Sequence, residues 1–124
     1  MDFLKHPYAD IYLENGILYF RYRPISNFDL LVAQEIVSER LRFQREQSFP
    51  VLCDIRQVDK SSPEARQYLA LEGSLLTTAV AYLVTSHYNE RLIRFFIYVN
   101  QPPVPSKVFT SEEAALEFLS PFKE

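Results

Sequence analysis

Two glycines in 124 residues leave no material for a glycine-rich phosphate loop, a dinucleotide-binding turn or a serine elbow. All three need backbone conformations that glycine adopts cheaply. One cysteine, Cys53, excludes an internal disulfide and a cage of thiolates around a metal. No apolar run reaches the roughly 18 residues of a membrane-spanning helix. Charge of one sign is not in excess either: 13 Lys and Arg against 16 Asp and Glu give −3. That balance offers no basic field to a phosphodiester backbone, so nucleic acid is not an expected partner. The opening Met1-Asp2-Phe3-Leu4-Lys5-His6-Pro7 has no apolar core behind a basic segment, so it does not read as a signal peptide. A cytoplasmic protein without a transmembrane segment is the expectation.

What is present is apolar material at the level of a globular protein, 48 % of residues, enough to bury a core within one domain spanning residues 1–124. Residues 8–23 read as a β-hairpin turning at Asn15-Gly16, where both residues tolerate positive φ. A two-residue turn fixes the register: Leu13 opposite Leu18, Ile11 opposite Phe20 and Ala9 opposite Tyr22 on one face. Tyr12 then meets Tyr19, and Asp10 meets Arg21, on a partly wet face.

Asp29 can cap a helix running to about Gln47, with Leu30, Ala33, Ile36, Val37 and Leu41 as its apolar stripe. Residues 51–58 read as a central strand. Ser62 followed by Pro63 supplies a capping hydroxyl and a ring that needs no amide hydrogen, so the next helix starts there. Gly73 in that helix suggests close backbone approach. Residues 79–85 form a second buried strand, and Ser86 can cap a helix over residues 89–99. A stiff Pro102-Pro103-Val104-Pro105 connector leads to a short strand at Lys107-Val108-Phe109. Thr110-Ser111-Glu112-Glu113 is a capping box before the last helix. The order β-β-α-β-α-β-α-β-α predicts an α/β fold with one mixed, mostly parallel five-stranded sheet, in which only the first strand runs against the others.

Ligands of open α/β sheets gather beyond the carboxyl ends of the strands. That edge carries Asp54, Arg56, Asp59, Lys60, Ser61 and Ser62 after one strand, and Thr85, Ser86 and His87 after the next, with Arg66 one helical turn on. Asp54, Asp59, Lys60, Ser61, Ser62 and Arg66 are therefore candidates for an anion site or a phospho-acceptor loop. Helix capping beside a solvated loop accounts for both serines equally simply. Cys53 sits mid-strand without a cationic neighbour and reads as a small buried hydrophobe, not a nucleophile. His6 and His87 lack metal-ligand spacing, so neither a metal nor another cofactor is expected. Glu72 is either a partly buried carboxylate or the edge of an apolar stripe. In the third helix Leu92, Ile93, Phe96 and Val99 fill a core face, while Tyr88, Arg91, Phe95 and Tyr98 belong to another side. An aromatic strip with arginine suits a partner groove or a homodimer, and cover by the proline-rich connector is the alternative.

This element order and the loop Asp59-Lys60-Ser61-Ser62-Pro63 resemble the STAS family, the anti-anti-sigma-factor-like fold. The likeness is to small bacterial members with a segment similar to Pro63-Glu64-Ala65-Arg66-Gln67-Tyr68, and it spans residues 9–119. The resemblance implies sequentially ordered parallel strands with helices mainly on one side. It also implies a regulatory, protein-binding role, with phosphorylation of a serine or threonine in an Asp-Ser-Ser/Thr-Gly turn where Ser61 and Ser62 stand. Here Lys60 follows Asp59, and Pro63 takes the place of glycine, making a stiffer turn. Three functions follow from the sequence. The leading one is a non-enzymatic interaction domain switched by phosphate at Ser61 or Ser62. The second is a small-molecule or lipid-binding module with an apolar pocket under the third helix. The third, an enzyme built on Asp54, Arg66 and His87, lacks a nucleophile–base pair.

Overall fold

The computed structural model describes residues 3–123; Met1 and Asp2, which begin the segment read above for a signal peptide, and Glu124 lie outside the described residues. Six strands form one sheet in sequential order: β1 (Phe3–His6), β2 (Ala9–Glu14), β3 (Ile17–Tyr22), β4 (Phe49–Asp54), β5 (Thr77–Leu83) and β6 (Ser106–Phe109). β1 and β3 run antiparallel to β2, and β3 to β6 run parallel to one another. β2 is therefore the strand that opposes the rest. The expected count was five. β1 was missed because Phe3-Leu4-Lys5-His6 is short, alternates weakly and ends at a Pro7-Tyr8 turn that carries no Asn-Gly signal.

The hairpin register follows from its turn. Ala9 pairs with Tyr22, Ile11 with Phe20, Tyr12 with Tyr19 and Leu13 with Leu18, while Asn15 (φ 52°) and Gly16 (φ 78°) take the positive φ values that a tight turn demands. The charges repartner: Asp10 and Arg21 lie opposite, yet Asp10 binds Arg23 at 2.8 Å and Arg21 reaches Asp54 and Glu112. A cross-strand neighbour is not a partner when a longer reach offers a more buried carboxylate.

Four helices join the strands: α1 (Leu30–Gln44), α2 (Pro63–Leu71), α3 (His87–Asn100) and α4 (Glu112–Leu119). Asp29, Ser62, Ser86 and Ser111 each accept a backbone amide of the first turn that follows, as the sequence signals imply. α1 to α3 cover one face of the sheet, over a core that includes Ile11, Leu18, Phe20, Val51 and Val80. α4 covers the other, where Ala115 and Leu119 pack on Ile17, Tyr19, Leu52, Ala79 and Ala81.

Three expectations need correction. β4 ends at Asp54 and β5 begins at Thr77, so both strands sit about two residues earlier than their apolar runs suggested. The buried stripe of α1 is Ala33, Ile36, Val37, Arg40 and Gln44, with Leu30 at its exposed margin; two polar side chains occupy positions that periodicity assigns to the core. A side chain built on Gly73 would make only ordinary contacts, 3.6 Å from Leu69, so close approach is not its role; its carbonyl instead accepts from Arg40 at 3.0 Å.

Candidate functional site

A cavity of about 400 Å³ lies between the sheet and the α1–α2–α3 layer. Ordinary cores leave few voids larger than a water, whose share of liquid is about 30 Å³. The space is partly open to solvent and mostly apolar in its lining, and its volume falls at the lower end of the range of small-molecule sites. Strand alternation builds its floor: Phe20 and Tyr22 from β3, Val51 and Cys53 from β4, Val80 and Tyr82 from β5. A bulge adds Thr77. Phe49 pairs with Thr77 and Val51 with Val80, so β5 spends one extra residue and turns Thr77 to the cavity face. Ile36, Val37 and Arg40 of α1 form one wall, Arg66 and Leu69 of α2 another, and Leu92, Ile93 and Phe96 of α3 the roof, with half-exposed Phe95 at its rim.

The cavity spans the sheet from edge to edge. At the carboxyl edge of the parallel strands stand Ile55, Val58, Lys60, Ser61 and Asn89; at the amino edge stand Thr77, Gly73 and Arg40. Asn89, 3 % exposed, ties the first edge together. Its side-chain amide donates to the carbonyls of Ile55 (2.8 Å) and Val58 (3.3 Å), and its carbonyl accepts from the Thr85 amide (3.2 Å). Sequence reasoning missed it. The signal available was its place at the third position after the Ser86 cap, where side chains turn back toward the preceding loop.

Arg40 was missed too. It is 4 % exposed and donates to Gln44 Oε1, to the Leu75 carbonyl (3.1 Å) and to the Gly73 carbonyl (3.0 Å). None of these is charged. Burial lowers the Arg40 pKa, while the buried Tyr22 and Tyr82 and the half-buried Cys53 are pushed upward by desolvation, Cys53 to about 12. These neighbours stay protonated, and the thiol is no nucleophile. No signal in the sequence marks Arg40, since an arginine at helical spacing within an apolar stripe reads as the stripe's edge.

The predicted site residues divide. Lys60, Ser61 and Arg66 line the cavity mouth together, with an Arg66 N–H bonded to the Ser61 carbonyl and its guanidinium 5.6 Å from the centre of the Phe95 ring. Ser62 Oγ caps α2 by accepting the Ala65 amide at 3.0 Å, and Asp59 is exposed. Asp54 is not with them. Alternation along β4 sends it to the α4 face, where Arg21 (3.0 Å) and Arg56 (2.8 Å) hold it beside Glu112. Burial alone would raise its pKa, but hydrogen bonds from Arg56 and Arg21 outweigh that and keep it below the usual carboxylate range. His87 is exposed at the start of α3, Glu72 is exposed after α2, and His6 lies in β1, 2.8 Å from Glu35. On the outer side of α3, Tyr88, Phe95 and Tyr98 are 51 %, 53 % and 80 % exposed beside Arg91, so the proline-rich connector does not cover them. No helix among the described residues is long and apolar enough to cross a membrane.

The architecture is similar to that of the crystal structure of an uncharacterized protein from the DUF3478 family with a SpoIIAA-like fold, from Shewanella loihica PV-4. The two share 16 % identity, cover 90 % of this chain and 91 % of that one, and superpose with a TM-score of 0.62. The fold is thus SpoIIAA-like, the STAS-type architecture that the loop and element order resembled. No curated protein matches the chain. A family model, Domain of unknown function (DUF7793), matches residues 11–123, and the chain belongs to that family.

Proposed function

We propose that this domain is a non-enzymatic binding module whose cavity holds one small, largely apolar molecule beneath α3. The observation that carries the reading is the cavity itself: about 400 Å³, walled by aromatic and aliphatic side chains, with few polar groups among them. Binding rather than catalysis is favoured because Cys53 keeps its proton, and because Asp54, Arg66 and His87 do not converge. The test is native mass spectrometry of protein purified from its own host, together with titration of an environment-sensitive naphthalene dye. A retained ligand, or dye uptake abolished by the cavity-filling Val80→Phe variant, is expected. A clean apo mass combined with dye uptake indifferent to Val80→Phe would overturn the reading.

A second reading, binding of a protein partner or a second copy, is favoured by Tyr88, Arg91, Phe95 and Tyr98 on the outer side of the same helix. A phosphate on Ser61, which lines the mouth with Lys60 and Arg66, would add negative charge beside two cations and link that loop to the strip through the Arg66–Phe95 contact; one on Ser62 would have to compete with its role as the cap of α2. Pull-downs with Ser61→Asp and Ser62→Asp variants address the switch, since unchanged capture by both removes it. Sedimentation of a Phe95→Ser, Tyr98→Ser double variant addresses self-association.

A further inference from the structure

We propose that the ligand of this cavity is an amphipathic monocarboxylate, its carboxylate seated on Arg40 at the amino edge of the sheet and its apolar body running under α3 toward the mouth. This rests on the cavity reading above and adds the charge and orientation of what it binds.

The first ground is the distribution of charge. The chain as a whole is acidic, at −3, yet the residues lining the cavity include Arg40, Lys60 and Arg66 and, among the described residues, no Asp or Glu. A wall that gathers cations and excludes carboxylates within an acidic chain is complementary to an anion.

The second ground is Arg40. A guanidinium has five N–H donors and no acceptor. Its bonds to Gln44 and to the Leu75 and Gly73 carbonyls use three of them and supply no negative charge. Among the described residues, Asn100 Oδ1 is the one sealed side-chain polar atom without a partner. The Nε–H of Arg40 meets no acceptor among the described residues, and Arg40 lines the cavity. Buried charges are ordinarily paired. Cys53, Tyr22 and Tyr82, which stay protonated nearby, are neutral and cannot supply the counter-charge.

The third ground separates Arg40 from the two cations of the mouth. Lys60 is exposed, and Arg66 is already bonded to the Ser61 carbonyl and laid against Phe95. Water screens both, so they assist entry of an anion more than they hold it. One buried positive charge matches one negative charge. A dianionic phosphate monoester would leave the amino edge with a net buried charge, which argues for a carboxylate.

The experiment uses probes of one chain length: dodecanoate, dodecanol and dodecylamine, each below its micelle concentration, titrated into the intact protein at pH 8 by calorimetry. Dodecanoate should bind at least about tenfold more tightly than dodecanol, the advantage of a charge-assisted bond made away from water. Dodecylamine should bind more weakly than the alcohol. Arg40→Met should lose the preference for the acid over the alcohol, whereas a Lys60→Gln, Arg66→Gln double variant should keep it. Equal affinity for acid and alcohol in the wild-type protein overturns the inference and leaves the cavity reading standing. Binding of none of the three probes removes the cavity reading as well. A preference lost in the double variant but kept in Arg40→Met places the anion at the mouth and overturns the assignment. Should Arg40→Met fail to fold, the double variant decides: a preference for the acid kept there supports the Arg40 seat, and one lost there overturns it.

Discussion

Arg40 and Asp54 are two buried charges on opposite faces of one sheet, handled differently. Asp54 sits between Arg21 and Arg56, and Arg21 also binds Glu112 and donates to the Tyr12 hydroxyl at 2.8 Å. That set balances its own charge, as structural ion pairs do. Among the described residues Arg40 has only neutral acceptors. The Asp54 cluster therefore bears on stability. Its folded pKa lies below the unfolded value of about 3.9, so its contribution is complete above that value and is lost as pH falls through the folded one. Asp54→Asn should cost about 2–3 kcal/mol at pH 7, less than a fully buried pair because Arg56 is half in solvent. In urea denaturation the gap between variant and wild type should narrow from pH 5 to pH 3; a gap independent of pH would mean that the carboxylate's charge is not what stabilises. Neither cluster was legible in the sequence. Asp54 was picked out as a site residue from its place at a strand end; alternation puts it on the face opposite Cys53, and what periodicity could not tell is that the cavity lies on the Cys53 face.

Elements were more legible than residues because local chemistry dictates their ends. Asn15-Gly16 fixed a whole hairpin register, and four caps were readable as Asp29, Ser62, Ser86 and Ser111. What failed was the interior of α1, where a helical stripe predicts apolar side chains but tertiary contacts with the Gly73–Leu76 turn recruit Arg40 and Gln44. The α2 start also constrains any switch. Ser62 Oγ is engaged as a cap, and aspartate caps as well as serine does. Ser62→Ala should thus lose about 1 kcal/mol in denaturation, and Ser62→Asp should stay within a few tenths of wild type. A Ser62→Asp protein that keeps its stability but changes partner or ligand binding would assign that change to charge at the mouth; a large loss of stability would show that the loop around Pro63 resists an added charge.

At the scale of the molecule, the sheet divides the protein into two layers with separate tasks. On the α4 face Leu119 and Ala115 are fully buried against Leu52, Ala79 and Ala81, and the space left beside them is an open cleft edged by Glu14, Glu113, Glu117 and Lys123, not an apolar pocket. The α1–α3 face holds the same class of residues but stops short of filling its space. Composition cannot reveal that difference, since both faces draw on one apolar pool, and a cavity is a property of how side chains meet. Leu119→Ala should therefore cost about 3 kcal/mol through lost burial and a new void. The sheet is a rigid partition whose residues pack independently on each side, so distant effects should simply add. The midpoint of urea denaturation should fall, while dodecanoate should add the same free energy of stabilisation at 25 °C in variant and wild type, because that increment depends only on affinity and concentration. An increment that shrinks in Leu119→Ala would mean that packing under α4 reaches through the sheet to the cavity, and that the two layers work as one.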